Sequence, residues 1–179
     1  AEAMAIADPA GKLAALAAVP GVEVKRPHFA QACNLVPHAF ENLLNGQQLT
    51  YAGKNREIMI SAARFDRLSL RLIAALELHH RENPSQGGLS RISARARLDE
   101  PVSTELFDHL LNELSSARRI DIDGPRLHLP GHRPAFSSAE IKFWRQVTDR
   151  FDDAAPRAIV IAELAGELGG NTATVSAMV

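Results

Sequence analysis

The fold of this chain is limited most by a recurring order of short elements, cut apart by proline and glycine. Gly11 to Val19 reads as an alanine- and leucine-rich helix stopped by Pro20-Gly21. Val22-Glu23-Val24 is a short extended piece. Pro27 opens a second helix through Phe29, Ala30 and Cys33, since a first-turn N–H has no intrahelical partner to lose. Pro37 opens a third, with Phe40, Leu43 and Leu44 on one face and Gly46 just past its end. Leu49 to Ala52 and Ile58 to Ile60 then read as strands, joined at Gly53-Lys54-Asn55, residues that suit a tight hairpin.

The same order then starts again. Ser61 to His80 carries Leu68, Leu72 and Leu76 at intervals of four with Ile73 beside them, which predicts a long amphipathic helix. Asn83-Pro84 and Gly87-Gly88 make a loop, and Ser90 to Arg97 a short basic helix. Ser103 is a good N-cap for a helix with Leu106, Leu110, Leu111 and Leu114 inward. Arg118 and Arg119 near its end suit the negative pole. Ile120 to Asp123 and Arg126 to Leu129 alternate around Gly124-Pro125, a second hairpin. Proline directly after the glycine predicts a wing wider than a two-residue turn. A third block opens after Pro134. Ser137 or Ser138 caps a helix with Ile141, Trp144, Val147, Thr148 and Phe151 on one face, so Trp144 is expected in a core. Helices over Ile159 to Leu168 and from Asn171 follow.

Three helices followed by a hairpin is the order of a winged helix, a helix-turn-helix with a β wing. The expected fold class is mainly α with small β hairpins (α+β), in tandem winged-helix modules. Module boundaries fall at 1–60 and 61–134, and 135–179 reads as the start of a third, incomplete module. Units of ~60 residues lie near the lower limit for independent stability, so neighbours gain by packing together.

Little in the sequence speaks of chemistry. Neither G-x-x-x-x-G-K-[ST] nor G-x-G-x-x-G occurs, so these residues hold no phosphate loop of either kind. No paired C-x-x-C or H-E-x-x-H is present, and metal ligands and catalytic residues are both expected to be none. His79 and His80 point about 100° apart on a helix and cannot chelate one ion from one face. They read as a helix-terminal pair near the negative pole. His128 and His132 flank Leu129-Pro130-Gly131 and can meet around that turn. Cys33, the one cysteine, reads as a small hydrophobe in a reducing compartment. No apolar run is long enough to span a bilayer, and Ala1 to Pro9 lacks the basic start of a signal peptide. A soluble, cytoplasmic chain without membrane partners is expected.

With 20 basic and 21 acidic residues, local charge matters more than net charge. Leu98 to Gly124 holds seven acids and two bases, which disfavours phosphate at the third helix of the second module. Arg64 to Arg97 holds seven arginines against three acids. Intramolecular pairing with the acidic stretch that follows accounts for that strip. A sharper reading gives Arg91, Arg95 and Arg97 a sequence-independent phosphate contact.

His80-Arg81-Glu82-Asn83-Pro84, the close Gly88-Leu89-Ser90-Arg91, the helix Leu106 to Leu114 and above all the exit Leu127 to Phe136 resemble the second winged-helix module of bacterial selenocysteine-specific elongation factors (SelB). The first block is similar to the preceding module in layout, and Asp149 to Val179 looks like the opening of the third. The resemblance implies the C-terminal arm of a translational GTPase. GTP and selenocysteinyl-tRNA are then bound by a part outside these residues. The arm reaches an insertion hairpin in the messenger RNA, gripped chiefly by the last module, so no cofactor is expected here. It makes the ribosome and the messenger partners of the whole protein, while the residues that chiefly grip the RNA in that family have no positions here. Arg91, Arg95, Arg97 and Arg133 are the expected phosphate or ribosome contacts within these residues. Val24 to Arg26 and Ser61 to Arg67 are the expected articulation or packing points. Two rival readings are a DNA-binding transcriptional regulator and a winged-helix protein-interaction scaffold.

Overall fold

The computed structural model describes residues 8–153. Two compact units are present, Ala1–Arg133 and Pro134–Val179. The first holds two winged helices. The first of these runs α1 (Pro9–Ala18), β1 (Val24–Lys25), α2 (Arg26–Ala32), α3 (Pro37–Leu44), β2 (Leu49–Ala52) and β3 (Ile58–Ser61). The second repeats the order with α4 (Ala62–Glu82), β4 (Leu89–Ser90), α5 (Arg91–Ala96), α6 (Thr104–Ser116), β5 (Asp121–Asp123) and β6 (Arg126–His128). The expected α+β winged-helix class is therefore present.

Local chemistry explains most of the boundaries. Asp8 caps α1 by accepting from the Gly11 N–H, and Ser61, Ser90 and Ser103 do the same for α4, α5 and α6. Each module carries an antiparallel three-stranded sheet, ordered β1-β3-β2 and β4-β6-β5. β4 is an addition to the sequence reading. Gly88 precedes it with φ +145, and a Cβ there would lie 2.5 Å from the Leu127 carbonyl oxygen, so only glycine lets β4 reach β6.

The two hairpins reverse the expected turn lengths. Ala52 pairs with Ile58, leaving a five-residue connection where a tight turn is expected. Asp123 pairs with Arg126, so Gly124-Pro125 closes the second wing in two residues. Gly124 takes φ +53, which lets the chain reverse directly in front of the proline.

β3 holds the two modules together. Met59 points into the first core with Leu13, Ala17, Val24, Phe29, Phe40 and Leu44. Ile58 and Ile60 alternate to the other face and join Leu68, Leu72, Leu76, Leu106, Leu110 and Leu111 in the second core. All three β3 residues are fully buried. The loop before β1 also meets the second module. The Glu23 carboxylate accepts the Ser103 N–H at 2.7 Å, and a Cβ on Gly21 would lie 3.1 Å from Pro101.

The second unit contributes α7 (Ser138–Asp153). Ser137 and Glu140 form a reciprocal cap, with Glu140 N–H donating to Ser137 Oγ at 3.2 Å and Ser137 N–H to Glu140 Oε2 at 2.7 Å. Trp144 is 41% exposed and Ile141 43%, so the expected core position of Trp144 is not met. The helices expected over Ile159 to Leu168 and from Asn171, and most of the module read at 135–179, lie outside the described residues, as does most of the Ala1 to Pro9 segment.

Candidate nucleic-acid interface

In a winged helix the third helix is the usual reader of nucleic acid. In the second module that helix is α6. Its polar face carries exposed Glu105 and Glu113 and half-buried Asp108. Its first turn, where backbone N–H groups favour an anion, already faces the Glu23 carboxylate at the Ser103 cap. Phosphate would meet carboxylates both along this helix and at its start.

The basic strip that precedes α6 is largely spent inside the molecule. The Arg64 side chain is 1% exposed and sits 2.5 Å from Glu100, whose side chain is 3% exposed. Arg64 also donates to the Val22 carbonyl, and Arg67 donates to the second Glu100 oxygen at 2.6 Å. Arg71 pairs with Asp99 at 3.1 Å. Thus Ser61 to Arg67 is a packing point: the buried guanidinium ties the first module's loop to the second module's acidic turn.

The four arginines expected to contact phosphate or ribosome divide into two pairs. Arg91 is bound to Asp108 at 2.6 Å. Arg95 donates to the Val102 carbonyl at 2.7 Å and to Thr104 Oγ1 at 3.0 Å, clamping the start of α6. Arg97 and Arg133 are exposed and make no ion pair with another described residue. The structure does not gather the four into one patch of free charge. Between α5 and α6 lies an open groove lined by Leu98, Val102 and Phe107, with Ile92 85% exposed at its edge.

The histidines form a clasp that the sequence reading missed. His80 and His132 stack with ring centroids 3.5 Å apart. His80 Nε2 accepts the Leu129 N–H at 3.1 Å, and His132 Nε2 lies 2.9 Å from the Gln86 carbonyl oxygen. His132 therefore meets His80 rather than His128, whose Nδ1 lies 3.2 Å from the Leu129 carbonyl. Burial, with the neighbouring rings of His132, His79 and His128, pushes the His80 pKa down to about 4. Burial likewise lowers that of His79. The pair stands at the end of α4 as expected, and its imidazoles are neutral because the exit segment covers that end. The signal available in sequence was the exit run itself, whose His132 has no role in the second hairpin. Among the described residues no group of three or more His, Cys, Asp or Glu could hold a metal ion, and no helix is long and apolar enough to cross a membrane.

Comparison with known proteins falls on the same region. Residues 73–129, from the middle of α4 past β6, match the family described as elongation factor SelB, winged helix. The selenocysteine-specific elongation factor of Haemophilus influenzae is 28% identical over 99 residues, covering 54% of this chain and 16% of that protein. The chain thus matches a small part of a much longer relative. With the winged-helix order and the match over α4 to β6 together, residues 73–129 are similar to a winged helix of the SelB elongation-factor family.

Proposed function

We propose that this region is a rigid section of the C-terminal arm of a selenocysteine-specific elongation factor. It couples a part that binds GTP and selenocysteinyl-tRNA to the messenger insertion hairpin on the ribosome, in the cytoplasm. Its work is mechanical: it fixes distance and angle, and it catalyses nothing itself. The observation that carries this reading is the burial of β3 on both faces, with Ile58 and Ile60 in one core and Met59 in the other. Modules that share a strand in this way cannot rotate independently without exposing apolar surface, which costs roughly 25 cal/mol per Å². The acidic face of α6 also disfavours the rival reading as a duplex-DNA reader.

The test is made in the full-length factor. Glu23→Lys and Glu100→Gln loosen the contact between the modules. UGA read-through to selenocysteine is expected to fall severalfold, with GTP hydrolysis and tRNA binding unchanged. Normal read-through in variants whose modules are shown by small-angle scattering to move apart would overturn the coupling role. Tight, sequence-selective binding to duplex DNA would overturn the assignment altogether.

A further inference from the structure

Four elements of the two modules occupy positions that face nucleic acid in winged helices: two third helices and two wings. Three of them are poorly suited to phosphate. α6 is acidic, and the second wing carries exposed Asp121 and Asp123 beside its turn. On α3, exposed Glu41 is bound to Arg26 at 2.5 Å, and Asn42 lies 3.4 Å from His38, so its polar face offers no free cation. The first wing is different. Its tip presents exposed Lys54, Asn55 and Arg56. Neither Lys54 nor Arg56 makes an ion pair with a described residue. The one carboxylate of the loop, Glu57, folds back beside Gly53.

Arg56 is also pre-positioned. Its guanidinium lies 4.4 Å from the centroid of the Tyr51 ring, and Arg26 lies 5.7 Å from the same ring. Such stacking holds the planar guanidinium while leaving its N–H edges free for phosphate oxygens. The backbone adds a second observation. Arg56 sits at φ +53, closing the turn with its N–H on the Gly53 carbonyl at 3.1 Å. That conformation suits glycine or asparagine, and a bulky arginine there is strained. Arg118 takes the same conformation at the end of α6, so it is the stacking and exposure of Arg56 together with this backbone, not the backbone alone, that point to a use for the side chain.

We infer that the first wing, through Lys54 and Arg56 with Tyr51 as platform, makes a sequence-independent contact with the phosphodiester backbone of structured RNA. This extends the proposed arm by giving it a point of contact before the messenger hairpin, and the choice of RNA over DNA rests on that proposal. Such binding weakens steeply with salt because it releases counterions.

The 179-residue chain is titrated by fluorescence anisotropy with a labelled RNA hairpin of arbitrary sequence and with a DNA duplex of equal length. Lys54→Glu/Arg56→Glu is expected to weaken RNA binding about tenfold at ~50 mM salt and to lower the salt slope by about two, one per lost phosphate contact. Arg56→Gly relieves the backbone, so it is expected to melt no lower than the parent while binding RNA more weakly. Arg91→Ala serves as control, with unchanged affinity expected because its charge is already paired. Failure of the parent chain to bind RNA, unchanged affinity in both wing variants, or tighter binding to the DNA duplex would each overturn the inference. The read-through assay of the interface variants is independent of the wing, so loss of coupling and loss of RNA contact are separable.

Discussion

Arg64 and Glu100 meet at 2.5 Å with side chains 1% and 3% exposed, so neither charge has water to fall back on. Removing one partner of such a pair costs about 3–5 kcal/mol, because the other is left buried and uncompensated. Glu100→Gln is expected to lose part of that range and Glu100→Ala most of it, read as a fall in the urea midpoint. Arg64→Met combined with Glu100→Leu is expected to recover most of the loss, since apolar residues of similar volume need no compensation. A different case follows α6. Arg118 takes φ +54 just past the Ala117 cap, and the Arg119 N–H closes on the Leu114 carbonyl at 2.8 Å. This is a helix stop that favours glycine, so Arg118→Gly is expected to stabilise by about 0.5–1 kcal/mol in thermal melts.

At the scale of elements, the segment leaving β6 is pinned to the end of α4 by the Leu129–His80 hydrogen bond and the His80–His132 stack. The clasp needs neutral His80. With its folded pKa near 4 and an unfolded value near 6.5, protonation favours the unfolded chain. Stability is therefore full above about pH 6.5, falls as pH drops towards 4, and loses nothing further from this group below that. Solvent screening at this partly exposed ring limits the loss to roughly 1–2 kcal/mol. His80→Gln is expected to flatten the melting temperature across that window. Hydrogen exchange at the Leu129 amide is expected to quicken in the parent as the pH is lowered, after correction for the intrinsic rate.

For the Ala1–Arg133 unit as a whole, one strand serving two cores predicts one cooperative transition. Ile60→Ala removes a fully buried side chain from β3 and is expected to cost about 2–5 kcal/mol. In hydrogen exchange, amides of α1 and α6 are expected to lose protection together, although Ile60 touches only the second core. A first module that keeps its protection in this variant would show that the two fold separately.

Much of this was legible along the chain. The leucine spacing of α4 and α6 marked their inner faces, the serine caps marked their starts, and Gly-Pro and Gly-Lys-Asn marked the wings. Those features depend on residues within a turn or two of each other, which is why local pattern is enough. The family resemblance of the second module lay in the same stretches. The tertiary structure alone decided which charges are free. Arg64 finds Glu100 36 positions away, His80 finds Leu129 at 49, and Glu23 finds Ser103 at 80. No local periodicity encodes such pairs, because their partners are chosen by how the faces pack. The same packing ties up Arg64, Arg67, Arg71, Arg91 and Arg95 of the strip, keeps His79 and His80 neutral, and leaves Lys54 and Arg56 facing water without a carboxylate.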